Sequence, residues 1–171
     1  MAWFALLIAL TALERLAELV VSRRNERWSL ERGGVEFGAG HYPLMVLLHT
    51  GLLVGAIAEA AAGDRPFVPA LGWTALALVV GSQALRWWCI STLGVRWNTR
   101  VIVVPGGELI ARGPYRWFSH PNYVAVVVEG FALPLVRTAW ITAVAFTVLN
   151  AALLTVRIRV ENGALRSLVA A

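Results

Sequence analysis

The sequence predicts an all-α polytopic membrane protein of about five transmembrane helices, with a cytoplasmic loop and short hairpin ahead of the fourth. Three observations predict it. Of the 171 residues, 58% are hydrophobic and the mean hydropathy is +0.68, whereas soluble domains are about 45–50% apolar. The apolar residues fall in runs close to the ~20 residues that cross about 30 Å of hydrocarbon. The arginines alternate between rich and poor in the successive flanks of those runs. At this length the chain has room for a single domain, residues 1–171.

The first span runs from about Ala2 to Val21 and carries Glu14, Arg15 and Glu18 in its second half. Those three form a charge cluster near the cytoplasmic end, read as structural. A polar segment follows from Ser22 to Gly40, then a second span over about His41 to Ala60. The turn Gly63-Asp64-Arg65-Pro66 leads to the third span, about Val68 to Leu93. A second polar segment covers Gly94 to Ser119. The fourth apolar run, about Pro121 to Val136, is short, and Pro134 and Arg137 break it from the fifth, about Thr138 to Val156. The fourth either crosses fully or forms with the fifth a helical hairpin entering from one side.

No arginine precedes the first span; four follow it, one separates the second and third, four separate the third and fourth, one the fourth and fifth, and three lie in the tail. By the positive-inside rule this places the N-terminus outside and the C-terminus in the cytoplasm of a bacterial cell membrane, and it favours a full fourth crossing. The all-arginine, Ala/Val-rich composition points to a GC-rich bacterial source. Basic residues number 15 against 10 acidic, for a net charge of +5. Because they border spans instead of lining one amphipathic helix, nucleic-acid binding is excluded as a function. Cys89 is the sole cysteine, so no intrachain disulfide forms, and its apolar run makes it a small buried hydrophobe. The N-terminus lacks a basic n-region and reads as a retained span.

The segment Gly94 to Tyr123, GVRWNTRVIVVPGGELIARGPYRWFSHPNY, is the least lipid-like part of the chain. Val101–Val104 and Leu109-Ile110 read as two short extended pieces around the turn Pro105-Gly-Gly107. Such backbone must lie in the interface or line a protected cavity. Pro121 opens the fourth helix, where proline is tolerated, and sets His120 and Tyr123 at a helix start, a natural site for an anionic group. Trp97, Tyr115, Trp117 and Tyr123 form either an aromatic belt or a surface for a heterocycle or a cation. Directly after the last span, Arg157 and Glu161 stand four apart on one helical face. Glu129 and Asn150 lie inside spans four and five, where polar groups are functional or hydrogen-bond between helices. His41 and His49 have no Cys, Asp or Glu at ligand spacing, so no metal site is expected.

The run GPYRWFSHPNY resembles the signature of the isoprenylcysteine carboxyl methyltransferase family: Gly-Pro-Tyr, a few residues, Arg-His-Pro, any residue, Tyr. The tail RIRVEN resembles that family's second signature, Arg-Ile, two residues, Glu-Glu. The resemblance covers residues 94–165. It implies an integral membrane methyltransferase whose S-adenosylmethionine enters from the cytoplasm. Its lipophilic acceptor, a small molecule or a prenylated substrate, would come from the bilayer through a lateral opening, among membrane lipids. It further implies that Tyr115, His120, Pro121 and Tyr123 belong to the cofactor pocket, and that Arg157 and Glu161 act where cofactor and acceptor meet. Ser119 stands where the family has Arg, and Asn162 replaces the second Glu. Arg116 or Arg100 would then hold the cofactor carboxylate.

The expected activity is O-methylation of a lipid-soluble acceptor, with Arg157 orienting it and Glu161 polarising it. The acceptor is an isoprenylcysteine-type carboxylate or, as fits a bacterial source, the hydroxyl of a long-chain alkylpyrone or alkylresorcinol. A carboxylate needs no base; a hydroxyl needs one, for which Glu161 or His120 serves. The competing classes are a membrane reductase of the sterol type using NADPH, against which the short chain argues, and a non-catalytic membrane scaffold.

Overall fold

A computed structural model describes residues 1–63 and 65–169; Asp64, in the predicted turn, lies outside them. Each apolar run forms a helix: α1 (Ala2–Leu30), α2 (Tyr42–Ala62), α3 (Pro69–Leu93), α4 (Pro121–Leu135) and α5 (Trp140–Val169). Among the described residues α2 (with its leading turn, Ala39–Ala62), α3 (extended as Pro69–Arg96) and α5 (Trp140–Ser167) are long and apolar enough to cross a membrane by length and composition. α1 is excluded by Glu14, Arg15 and Glu18, and α4 by its 15 residues. The short α4 sits inside the bundle, packed on α3 and α5 and touching α2. That position lets it bury Ala125, Glu129, Gly130 and Leu133.

The structure corrects two expectations. First, α1 does not stop at Val21 but continues to Leu30. Ser22, Asn25 and Ser29, expected in a polar connection, are buried on one helical face instead. Second, the expected hairpin between Val101–Val104 and Leu109-Ile110 does not form. Val101–Val103 is a strand (β2), but it pairs antiparallel with β1, Val35–Phe37, Val35 opposite Val103. The predicted turn is present, with Gly107 N donating to Val104 O at 3.2 Å. β1 wins the pairing because Phe37 packs with Val101, Val103 and Ala164 in a small apolar cluster, whereas Leu109 is exposed.

The main core gathers Phe4, Ile8, Ala56, Ala60, Ala75, Val79, Ala132, Leu133 and Ala143. Its many alanines let helix backbones approach closely, the packing that works without a hydrophobic driving force between helices. Gly130 is the extreme case, since a Cβ there would lie 1.9 Å from the Phe146 ring of α5. Leu6, Leu10, Leu13, Leu47, Val54, Val80 and Val148 point outward and are exposed, an apolar surface far larger than a soluble monomer shows.

The bundle has two unlike ends. At one, Arg137 donates to the Met1 sulfur and Thr138 Oγ1 donates to Pro66 O at 3.1 Å. The N-terminus, the α2–α3 turn and the α4–α5 turn therefore lie together. The other end holds β1, β2, the connection to α4 and the end of α5, with most of the arginines. Between them lies a buried ionic cluster. Arg15 reaches Glu18 at 2.7 Å and also Glu129; Arg86 contacts Glu129 and lies 3.3 Å from Glu18. The expected structural role for the Glu14–Glu18 region thus extends to Glu129, and α1, α3 and α4 are tied together by two cations and two anions. Removing one member leaves an uncompensated buried charge. Glu129→Gln is expected to lower stability by about 3–5 kcal/mol, measured as reversible denaturation in detergent micelles; an unchanged midpoint would rule out this clamp.

Candidate active site

The α1 stripe sets the floor of the site. Asn25 Nδ2 donates to Trp97 O (2.7 Å) and Gly94 O (3.1 Å), while Ser22 Oγ takes Thr99 N at 2.9 Å. These bonds satisfy the irregular backbone after α3 and aim residues 97–103 along the bundle end. Gly113 then turns the chain at φ +54, a conformation favouring glycine, and a Cβ there would meet Thr92 Oγ1 at 2.5 Å. Pro114 and Pro121 are fully buried on either side of the segment that leads into α4.

Between this segment, β2 and the end of α5 lies a cavity of about 230 Å³. Tyr115, His120, Tyr123, Arg100, Arg157 and Glu161 all line it, as do Trp97, Asn98, Ser119 and Asn122. Residues from α4 and α5 interlock in its wall. The Tyr123 hydroxyl donates to a Glu161 carboxylate oxygen and accepts from Arg157 Nε at 2.8 Å. His120 Nε2 donates to Asn162 Oδ1 at 3.0 Å, its Nδ1 lies 3.7 Å from Glu161 Oε1, and its ring stacks on Tyr123. Arg157 is 5% exposed, with Nη2 donating to Thr99 O at 2.7 Å and Nη1 to the Met45 sulfur at 3.0 Å. Burial, with Cys89 and Glu161 nearby, pushes the Tyr115 phenol far above the ordinary tyrosine range, so it stays a neutral donor.

The two sequence signatures, 34 or more residues apart, therefore meet through direct hydrogen bonds. Residues 75–167 match the sequence model of the isoprenylcysteine carboxyl methyltransferase (ICMT) family. The chain belongs to that family. Among its relatives, an uncharacterized Bacillus subtilis protein, YpbQ, is 42% identical over 95% of this chain and 96% of its own. An uncharacterized Haemophilus influenzae protein is 25% identical over 96% of this chain and 94% of its own. No solved structure matches the chain at a significant level. Membership in this methyltransferase family, with three long apolar helices, makes the chain an integral membrane protein.

Within this ICMT-family fold the expected site residues divide. Arg116 is exposed, stacked over Trp117 at 4.7 Å, and does not line the cavity. Pro121 forms the first turn of α4, behind the lining. Arg100 lines the cavity but is paired with Glu36 at 2.9 Å and lies over the Tyr42 ring. Of the four aromatics, Trp97, Tyr115 and Tyr123 face the cavity, while Trp117 is exposed and meets Trp88 edge-on, as a belt residue would. Sequence reasoning missed Asn98, Asn122 and Met45. Asn122 occupies the variable position of His-Pro-x-Tyr, where only the motif's placement hinted at it; Met45 gave no signal. The Tyr123 hydroxyl holds both an arginine and a carboxylate. Tyr123→Phe is therefore expected to cost about 1–3 kcal/mol in detergent unfolding; a smaller loss would mean that water replaces the hydroxyl without penalty.

Proposed function

We propose that the protein is a single-domain, five-span O-methyltransferase of the bacterial cell membrane that uses S-adenosylmethionine and acts on a lipophilic acceptor at the cytoplasmic face. The observation that carries this reading is the convergence of the two family signatures on one cavity, through Tyr123–Glu161, Tyr123–Arg157 and His120–Asn162. The unlike ends of the bundle support the topology: Arg65 and Arg137 share one end with Met1, and the arginine-rich segments share the other. On that reading α1 and α4 also cross, shielded where they are charged or short.

The cavity suits the cofactor. Its wall includes Trp97, Asn98 and Asn122, whose buried Nε1, Oδ1 and Oδ1 atoms have no partner among the described residues, beside the apolar Val101, Val103 and Leu165. Unpartnered buried groups are costly, and a turn of these side chains toward the cavity would offer them to the amino and hydroxyl groups of a nucleoside. Trp97 and Tyr115 offer faces for the base. Arg100 is a cation on the wall that would hold a carboxylate in place of the family arginine lost at Ser119, and His120, its Nε2 given to Asn162, would accept at Nδ1 from the ammonium group of the cofactor. When bound, S-adenosylmethionine supplies a methyl group on a sulfonium, open to in-line displacement by an oxygen.

The chain's own residues then orient the acceptor and manage its proton. Tyr123 occupies Glu161 Oε2, leaving Oε1 to receive the proton that a hydroxyl acceptor gives up as its oxygen takes the methyl. A carboxylate acceptor would need only the guanidinium of Arg157. The available carboxylate favours the hydroxyl of a long-chain alkylpyrone or alkylresorcinol. Alignment in a water-poor site lowers the barrier without further chemistry from the protein.

Calorimetry on detergent-purified protein is expected to show saturable S-adenosylmethionine binding that His120→Ala weakens about tenfold, one hydrogen bond's worth. Absence of binding by folded wild-type protein would refute the proposal. With a hydroxyl acceptor, Glu161→Gln is expected to lower kcat by about 10²–10⁴ while the cofactor affinity holds. An unchanged kcat would remove Glu161 as the base.

A further inference from the structure

Arg157 holds a buried cation whose donors are unequally satisfied. Nε gives its proton to the Tyr123 hydroxyl at 2.8 Å and Nη2 to the Thr99 carbonyl at 2.7 Å. Nη1 faces the Met45 sulfur, 3.0 Å away. A thioether is a weak acceptor, and a buried charged donor normally finds an oxygen. An oxygen-bearing ligand would therefore gain more at Nη1 than the sulfur does.

The surrounding seam leads to the same place. Far from the cavity, α2 and α5 are fastened: the Glu59 carboxylate accepts from Thr142 N at 2.8 Å, Thr142 Oγ1 at 2.9 Å and Ile141 N at 3.2 Å. There a Cβ on Gly55 would touch Thr142 at 3.2 Å. At the cavity end, the Arg157–Met45 contact is the one hydrogen bond between the two helices among the described residues. Met45 is half-buried, while Leu44, Val46 and Leu47 beside it are exposed on the apolar outer surface. Met45 thus stands between that surface and the Arg157 guanidinium. A methionine side chain, unbranched with three rotatable bonds, moves aside at little cost.

We infer that Met45 holds the place of the acceptor's oxygen at Arg157 and is a specificity-determining residue: an amphiphile with an oxygen head and an apolar tail displaces its sulfur and lies along the α2–α5 seam. This rests on the methyltransferase reading for the identity of the reaction. The head sets its oxygen on Arg157 Nη1, and the tail continues past Leu44 on the apolar outer surface. A stronger acceptor at position 45 would hold Nη1 against the incoming oxygen, while an isosteric hydrocarbon would leave it free.

The test compares wild type, Met45→Gln and Met45→Leu, with pentadecylresorcinol and N-acetyl-farnesylcysteine as acceptors and cofactor affinity read separately by calorimetry. Met45→Gln is expected to raise KM for the methylated acceptor about tenfold, with KM for Met45→Leu near wild type and the cofactor Kd unchanged in both. Equal acceptor KM in Met45→Gln and wild type would overturn the inference. A second readout does not depend on turnover. In liposomes, Met45→Cys in a Cys89→Ala background is expected to react with bilayer-dissolved N-phenylmaleimide and to be protected by at least one of the two acceptors. A thiol that is unreactive, or indifferent to both, also overturns it. Protection of the Met45→Cys thiol without any S-adenosylmethionine binding would instead count against the methyltransferase reading and uphold the role of Met45.

Discussion

Hydrocarbon offers no hydrogen bonds, and the rest of this structure follows from that. Each span must satisfy its own backbone, so the apolar runs become helices. Any charge carried into the bundle must bring its opposite, and Arg15, Arg86, Glu18 and Glu129 do so across three helices. The same constraint keeps irregular backbone to the ends of the bundle, and at the end with the longer segment α1 supplies the missing partners: Asn25 for the carbonyls of Gly94 and Trp97, Ser22 for the amide of Thr99. Once that segment is fixed, β2 and the approach to α4 have little freedom, and a cavity is left beneath them.

Much of this was legible in the chain. Apolar run length located every helix start to within about three residues, because bilayer thickness sets the run. The two signatures named the residues that now interlock at Tyr123, Glu161, Arg157 and His120. Other features were hidden for identifiable reasons. The end of α1 was missed because charged Arg23, Arg24 and Arg27 signal a span's end on a hydropathy scale, while a helix outside lipid tolerates them freely. The three-and-four spacing of Ser22, Asn25 and Ser29 was the available clue. The β1–β2 pairing escaped because local turn chemistry at Pro105–Gly107 suggests a neighbour in sequence, whereas the deciding term was burial of Phe37 against Ala164 on α5. Arg116 looked as eligible as Arg100; only the fold turns one outward onto Trp117 and the other inward.

The departures from the family pattern are of one kind: Ser119 and Asn162 each replace an ionisable side chain with a neutral one. Asn162 accepts from His120 Nε2 through its amide oxygen, and the His120 ring stacks on Tyr123. The local charge near the end of α5 is thereby lowered by one anion and, at the start of α4, by one cation. The two losses offset each other, so the net charge of the site stays as it would be with the family residues.

The family match begins at residue 75, yet Ser29 and the strand partner of β2 lie before it, as do Glu36 and Met45. The signature-bearing half is therefore not an interchangeable module. A recombinant joining residues 75–167 to another protein's leading helices would inherit every motif residue and still lose the support for Thr99 and Trp97, unless the incoming helix brought its own polar stripe. A change at Ser22 or Asn25 in the first helix would therefore call for an answering change in the loop those side chains hold.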